Sequence, residues 1–137
     1  MEEKIVSSLL GLNAFGVYFG VCIGLFVLFA ILYALITPYH ELSLIREGNT
    51  AAACSYSGAL LGFTIPLASA VTHSVGLLDM IIWGIIALIV QVATFFIVML
   101  IFPSIVQDIP HNQVSKGIFL GVMSLTVGII NAACMTY

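Results

Sequence analysis

The chain lacks charge. Only 7% of its 137 residues are Asp, Glu, Lys or Arg, against about 25% in an average soluble domain. A water-facing surface on a protein of this size cannot be made with so few charged groups, so soluble enzymes and disordered tails are excluded. The three basic side chains, Lys4, Arg46 and Lys116, lie far apart, and with the acidic Glu2, Glu3, Glu41, Glu47, Asp79 and Asp108 they leave a net charge of −3. No basic cluster is present to hold nucleic acid or a polyanionic lipid surface. Paired cysteines are also missing. Cys22, Cys54 and Cys134 are odd in number and sit in apolar runs, so they read as small packing residues rather than a disulfide framework. The sequence contains no nucleophile–base–acid set, glycine-rich phosphate loop or redox cysteine pair, so neither an enzyme nor a cofactor is expected.

Apolar length is abundant. Hydrophobic residues make up 62% of the chain, and the mean hydropathy is +1.25. A membrane helix needs about 20 apolar residues, rising about 1.5 Å each, to cross about 30 Å of hydrocarbon. Four stretches with no charge beyond Asp79 and Lys116 near their starts are long enough, and they predict helices over residues 13–36, 50–72, 79–102 and 114–135. The alternation of a membrane barrel is absent, and helices are the other structure that satisfies its own backbone in lipid. The fold class is therefore an all-α membrane protein with four spans in a single domain, residues 1–137. Thr37-Pro38 and Phe102-Pro103 end the first and third spans, because proline cannot continue the hydrogen-bond ladder. Asn49 and Asn112 stand before the second and fourth spans, where asparagine is a good N-cap. In the first connector Tyr39, Leu42 and Ile45 recur every third residue. That fits a short interfacial helix, and an ordinary polar loop fits as well. The first apolar run follows an acidic Glu2-Glu3 start and ends without a small-x-small site, so it is expected to be retained rather than cleaved.

An internal echo is visible. Residues 48–70 lie over 111–133 without a gap, with Asn49 on Asn112, Gly58 on Gly121 and Ala70 on Ala133. This suggests a two-helix hairpin repeated in parallel orientation, residues 13–72 and 79–135 being the two units.

Small residues recur every four positions: Gly16, Gly20 and Gly24 in the first span, Gly58 and Gly62 in the second, Gly117 and Gly121 in the fourth. Such stripes let helix backbones approach closely, within one subunit or between subunits, and a homo-oligomer is expected. A glycine-lined solute path is the sharper alternative. Pro66 frees a backbone carbonyl in the second span. Among the polar span residues, Gln91 and Asn131 cost most if they face lipid, with Ser57 and Ser69 as lesser members. Interhelical hydrogen bonds are the plainer reading for them, a polar path the other. No span residue in this set is ionisable, which argues against proton pumps and voltage sensors. His40, Glu41, Arg46 and Glu47 mark the first connector as a partner-facing segment. His40, Glu41 and Glu47 are of metal-ligating type, but their spacing is poor evidence for a site and none is assigned.

The strings ITPYHELSLIREGNTAAACSYSGALLGFTIPLASA (36–70) and GIINAACMTY (128–137) resemble the YjfL-like small bacterial inner-membrane proteins, the domain-of-unknown-function family numbered 350, whose short domain occurs twice per chain. The resemblance implies a four-helix protein of the bacterial inner membrane and carries no activity. Members of that family neighbour phage-shock-like membrane-stress proteins and ATP-grasp ligase-like proteins, which implies an envelope-stress role by association alone. Two functions compete: an oligomeric scaffold that recruits a cytosolic or membrane-stress partner through its connectors, and an oligomeric ion channel or transporter subunit.

An even number of spans puts both termini on one side. Arg46 and Lys116 against Lys4 and the terminal amine then favour cytoplasmic connectors, residues 37–50 and 103–113, with both termini periplasmic or extracellular. Cysteine labelling or reporter fusions are expected to place residue 46 in the cytoplasm and residue 137 outside. Labelling of an introduced Cys at Glu47 only by external reagents would reverse this orientation.

Overall fold

The structure, a computed structural model, describes residues 1–135. Thr136 and Tyr137, the last two residues of the GIINAACMTY string and of the 1–137 domain, lie outside the described residues.

Among the described residues six helices follow in order: α1 (Glu2–Ile36), α2 (Glu41–Arg46), α3 (Thr50–His73), α4 (Leu77–Ile101), α5 (Ile105–Asp108) and α6 (Val114–Cys134). Four of them, α1, α3, α4 and α6, are long and apolar enough to cross a membrane. The ends of α3, α4 and α6 fall within two residues of the expected bounds. α1 differs: it begins at Glu2, eleven residues before the expected start. Nothing in residues 2–12 breaks a helix, and the expected start follows from hydrophobic length alone. Of the two readings of the first connector, the short helix is the one present, as α2. The second connector holds a single turn, α5.

The most extensive contact is between α3 and α6. They run parallel: Ala51 meets Gly117 near their starts, and the Ser69 hydroxyl donates to the Ala132 carbonyl at 3.2 Å near their ends. Along this seam Gly58 lies on Gly121, and Gly62 lies against Ser124 and Gly128. A β-carbon added at Gly58, Gly62, Gly117, Gly121 or Gly128 would collide with backbone of the opposite helix. Four of these five glycines belong to the rows expected to pack. Gly128 escapes that pattern, because it falls seven residues beyond Gly121 rather than four. Close backbone approach of this kind is what small residues permit in lipid, where dispersion between well-fitted surfaces replaces the hydrophobic drive.

α4 lies against both helices of the seam. Met80, Gly84, Ala87, Gln91, Thr94 and Val98 form its buried face at helical spacing. Gln91 is fully buried, and its Nε2 donates to the carbonyls of Gly62 and Ser124, 3.0 Å each. The first of these acceptors is the carbonyl that Pro66 frees, since proline at position 66 has no N–H to give it. α1 packs on α3 and α4 from Tyr18 onward, chiefly through its second half, where Leu25, Phe29 and Tyr33 are buried. Phe29 stacks on Phe63 at 4.5 Å between ring centroids, and Tyr33 meets Phe95 edge-on at 5.5 Å.

The connectors are tied together by two asparagines. Asn49 caps α3, its Oδ1 accepting from the Ala52 N–H at 2.8 Å, while its Nδ2 donates to the carbonyls of Ile109 (2.9 Å) and Pro110 (3.2 Å). Asn112, the expected cap of the fourth span, does not cap it. It stands at φ 58, a left-handed position asparagine tolerates, and its Oδ1 accepts from the Ala51 N–H of α3 at 3.1 Å. Gln113 precedes α6 without a side-chain cap. Asn112 thus closes α5 as Gly48, at φ 86, closes α2. Lys116 and Asp108 make an ion pair at 2.9 Å that joins α5 to α6.

The seam predicts a contrast between two glycines. Gly128→Ala is expected to destabilise the protein by about 1–3 kcal/mol, the usual cost of overpacking. Gly16→Ala, with open space around it, is expected to leave the monomer's stability unchanged. Thermal unfolding in nanodiscs followed by circular dichroism compares them, and equal shifts would contradict the seam.

Candidate functional site

Thr37 ends α1 with an extended backbone, its N–H bonded to the Tyr33 carbonyl at 3.0 Å. Pro38 then turns the chain, and α2 begins at Glu41. The turn folds Tyr39 and Glu41 inward, toward the start of α3, and leaves His40, Leu42, Arg46 and Glu47 exposed. The side of α2 facing the bundle therefore carries Glu41, Leu44 and Ile45, at positions i, i+3 and i+4. The expected row of Tyr39, Leu42 and Ile45 counts apolar residues alone, and Leu42 is 54% exposed.

Glu41 is 1% exposed, and neither carboxyl oxygen has a hydrogen-bond partner among the described residues. The hydroxyls of Tyr33 and Tyr39 are likewise buried and unpaired among the described residues. The Tyr56 hydroxyl is engaged, donating to the Ala30 carbonyl at 3.0 Å. Burial pushes the Glu41 carboxyl up to about 8 from its ordinary 4.5. Thr37 pulls the other way, but its hydroxyl is directed at the carbonyls of Ala34 (3.2 Å) and Tyr39 (3.4 Å) and makes no well-formed bond to Glu41. Tyr39 is held above the ordinary phenol range by burial and by the nearby carboxylate. A protonated carboxyl here donates a hydrogen bond; an ionised one needs a cation.

Beside this residue a cavity of about 530 Å³ opens between α1 and α2, lined by His40, Glu41, Ser43 and Arg46 of the connector, by Tyr56 of α3 and by Phe26 and aliphatic residues of α1. Sequence reasoning puts Glu41 on a partner-facing connector. It misses the buried site because a lone acid after a proline reads as a solvated loop residue. The signal is present in Tyr39, which shares its side of the chain in the extended turn.

The other expected positions divide into two groups. Gly58, Gly62, Gly117, Gly121, Gln91 and Ser69 meet at the α3–α6 seam. Gly16, Gly20 and Gly24 meet nothing within 4 Å. Ser57 is exposed beside the seam, and Asn131 is half-buried with its Nδ2 unpaired among the described residues. No group of three or more His, Cys, Asp or Glu that could hold a metal occurs among the described residues.

Four apolar helices with short polar connectors define a small multi-pass membrane protein. The chain belongs to the family described as Domain of Unknown Function (DUF350), which it matches over residues 6–135. It is similar to the UPF0719 inner membrane protein YjfL of Escherichia coli, 41% identical over 133 residues that cover 97% of this chain and 98% of that one. It is also similar to the UPF0719 transmembrane protein YshE of Bacillus subtilis, 28% identical over 118 residues, 85% of this chain and 88% of the relative. No solved structure matches. The protein is a multi-pass protein of the inner membrane.

The raised Glu41 sets a pH dependence. The folded carboxyl keeps its proton where the unfolded one has lost it, so stability is full below the unfolded value and falls as pH rises toward the folded one. Melting temperature is expected to fall between about pH 5 and about pH 8, and Glu41→Gln to flatten that slope. An unchanged slope in the variant would show that other groups set it.

Proposed function

We propose that the protein is an oligomeric scaffold of the inner membrane, linked to envelope or membrane stress. The observation that carries this reading is the first half of α1. The 35 residues of α1 rise about 52 Å, well beyond about 30 Å of hydrocarbon. From Met1 to Val17 every residue is exposed, Ile5, Leu9, Leu10, Leu12 and Phe15 among them. Gly16, Gly20 and Gly24 give the same helix a smooth open side. A second copy of the chain is the occupant this surface fits, because it brings a matching glycine row and needs no charge complementarity.

A parallel duplication of the two-helix hairpin belongs to the same proposal. α3 and α6 occupy corresponding places in the two hairpins, and Gly58 touches Gly121, the residue that the sequence overlay sets upon it. The connectors, with Arg46 and Glu47 exposed, are the surface for a cytosolic partner. Against a channel stands Gln91, whose Nε2 is spent on two backbone carbonyls at the centre of the bundle.

Mass photometry in native-lipid nanodiscs is expected to give an oligomer that Gly20→Leu weakens without unfolding the monomer; monomers alone would sink the proposal. In liposomes the wild type is expected to conduct no ions, and Gln91→Leu to lose stability on the order of 0.6 kcal/mol for each interhelical hydrogen bond. Sizeable flux abolished by Gln91→Leu at an unchanged melting temperature would establish the channel instead.

A further inference from the structure

We propose that the cavity between α1 and α2 binds a phospholipid whose headgroup carries a primary ammonium, with the ammonium at Glu41, the phosphate at Arg46 and an acyl chain along α1. This inference stands apart from the scaffold reading, since the cavity lies within one chain.

Three observations carry it. Glu41 lines the cavity, is almost wholly buried, and has both oxygens unpartnered among the described residues. An ammonium supplies what those oxygens lack, a charge and several N–H donors in one small group. Arg46 lines the same end and is exposed, with a fork of donors suited to phosphate. The α1 side of the wall is apolar: Val27, Ile31 and Leu35 recur every four residues, all exposed, with Phe26, Ala30 and Ala34 beside them. From Val27 to Leu35 the helix rises about 12 Å, most of one leaflet's share of about 30 Å of hydrocarbon. A soluble amine would leave this wall unused. A lipid fills both ends, and a cavity of about 530 Å³ lies within the range of roughly 300–1,000 Å³ usual for small-ligand sites. The upward push on the Glu41 carboxyl is the cost of burying it alone, and a bound ammonium offsets that cost.

Native mass spectrometry of the detergent-solubilised full chain tests the site, with an equimolar mixture of phosphatidylethanolamine, phosphatidylcholine and phosphatidylglycerol of identical acyl chains. Wild type is expected to retain phosphatidylethanolamine at least about fivefold over the other two, because charged hydrogen bonds are lost when the ammonium is replaced by a quaternary amine or a neutral glycerol. Glu41→Gln is expected to erase that preference. Arg46→Gln, a change at an exposed residue, is expected to weaken all three lipids, since each carries the phosphate, and to leave the preference for phosphatidylethanolamine in place. Ala34→Leu, which narrows the cavity away from the carboxyl, is expected to reduce all three. No preference in the wild type, a preference for phosphatidylglycerol, or an unchanged preference in Glu41→Gln at a normal melting temperature would each overturn the assignment. If Glu41→Gln fails to fold, the Arg46→Gln and Ala34→Leu patterns decide, and wild-type retention in both rejects the site.

Discussion

The backbone contact between α3 and α6 is the constraint on which the rest of the structure depends. Two helices come together there without side chains between them, and the glycines of one meet the carbonyls of the other. That closeness brings the carbonyls of Gly62 and Ser124 within reach of one amide nitrogen, and Gln91 bonds both. α4 is thereby fixed against the pair at mid-depth. α1 takes no part in this polar arrangement. Its hold on the bundle is chiefly the aromatic packing of Phe29 and Tyr33, and its first half goes free.

The four spans are legible because lipid demands length and low charge, and both are written plainly in the chain. Three helix ends are set by local chemistry: proline after Thr37, proline after Phe102, asparagine before Thr50. The partners of the glycine rows are not legible. Gly16 to Gly24 and Gly58 to Gly62 have the same spacing, yet the first row is open and the second closed, because a spacing defines a surface without saying what covers it. Asn112 misleads for a related reason. An asparagine before a helix serves as an N-cap or as the left-handed residue that closes the preceding turn, and the choice depends on the neighbouring connector.

Glu41 is harder still to read from the chain. A carboxylate three residues past a proline, in a segment bearing Arg46 and Glu47, has the composition of a solvated loop. Its burial follows from the side of α2 on which it falls: Glu41 shares the bundle-facing side with Leu44 and Ile45, while His40 and Leu42 on either side of it are exposed. The polar groups gathered there, Tyr33, Tyr39 and Glu41, come from α1 and the connector, and no single window of sequence shows them as a cluster.

The capping of α3 has a consequence for biogenesis. Its first turn is completed by Asn112, sixty-one residues downstream of Ala51, and the carbonyl that Pro66 exposes is completed by Gln91, twenty-nine residues downstream of Gly62. The leading hairpin therefore enters the bilayer with unmet backbone groups at its mouth and at its middle. These groups gain their protein partners only when the trailing hairpin packs against the leading one, so the final packing of the two halves is coupled.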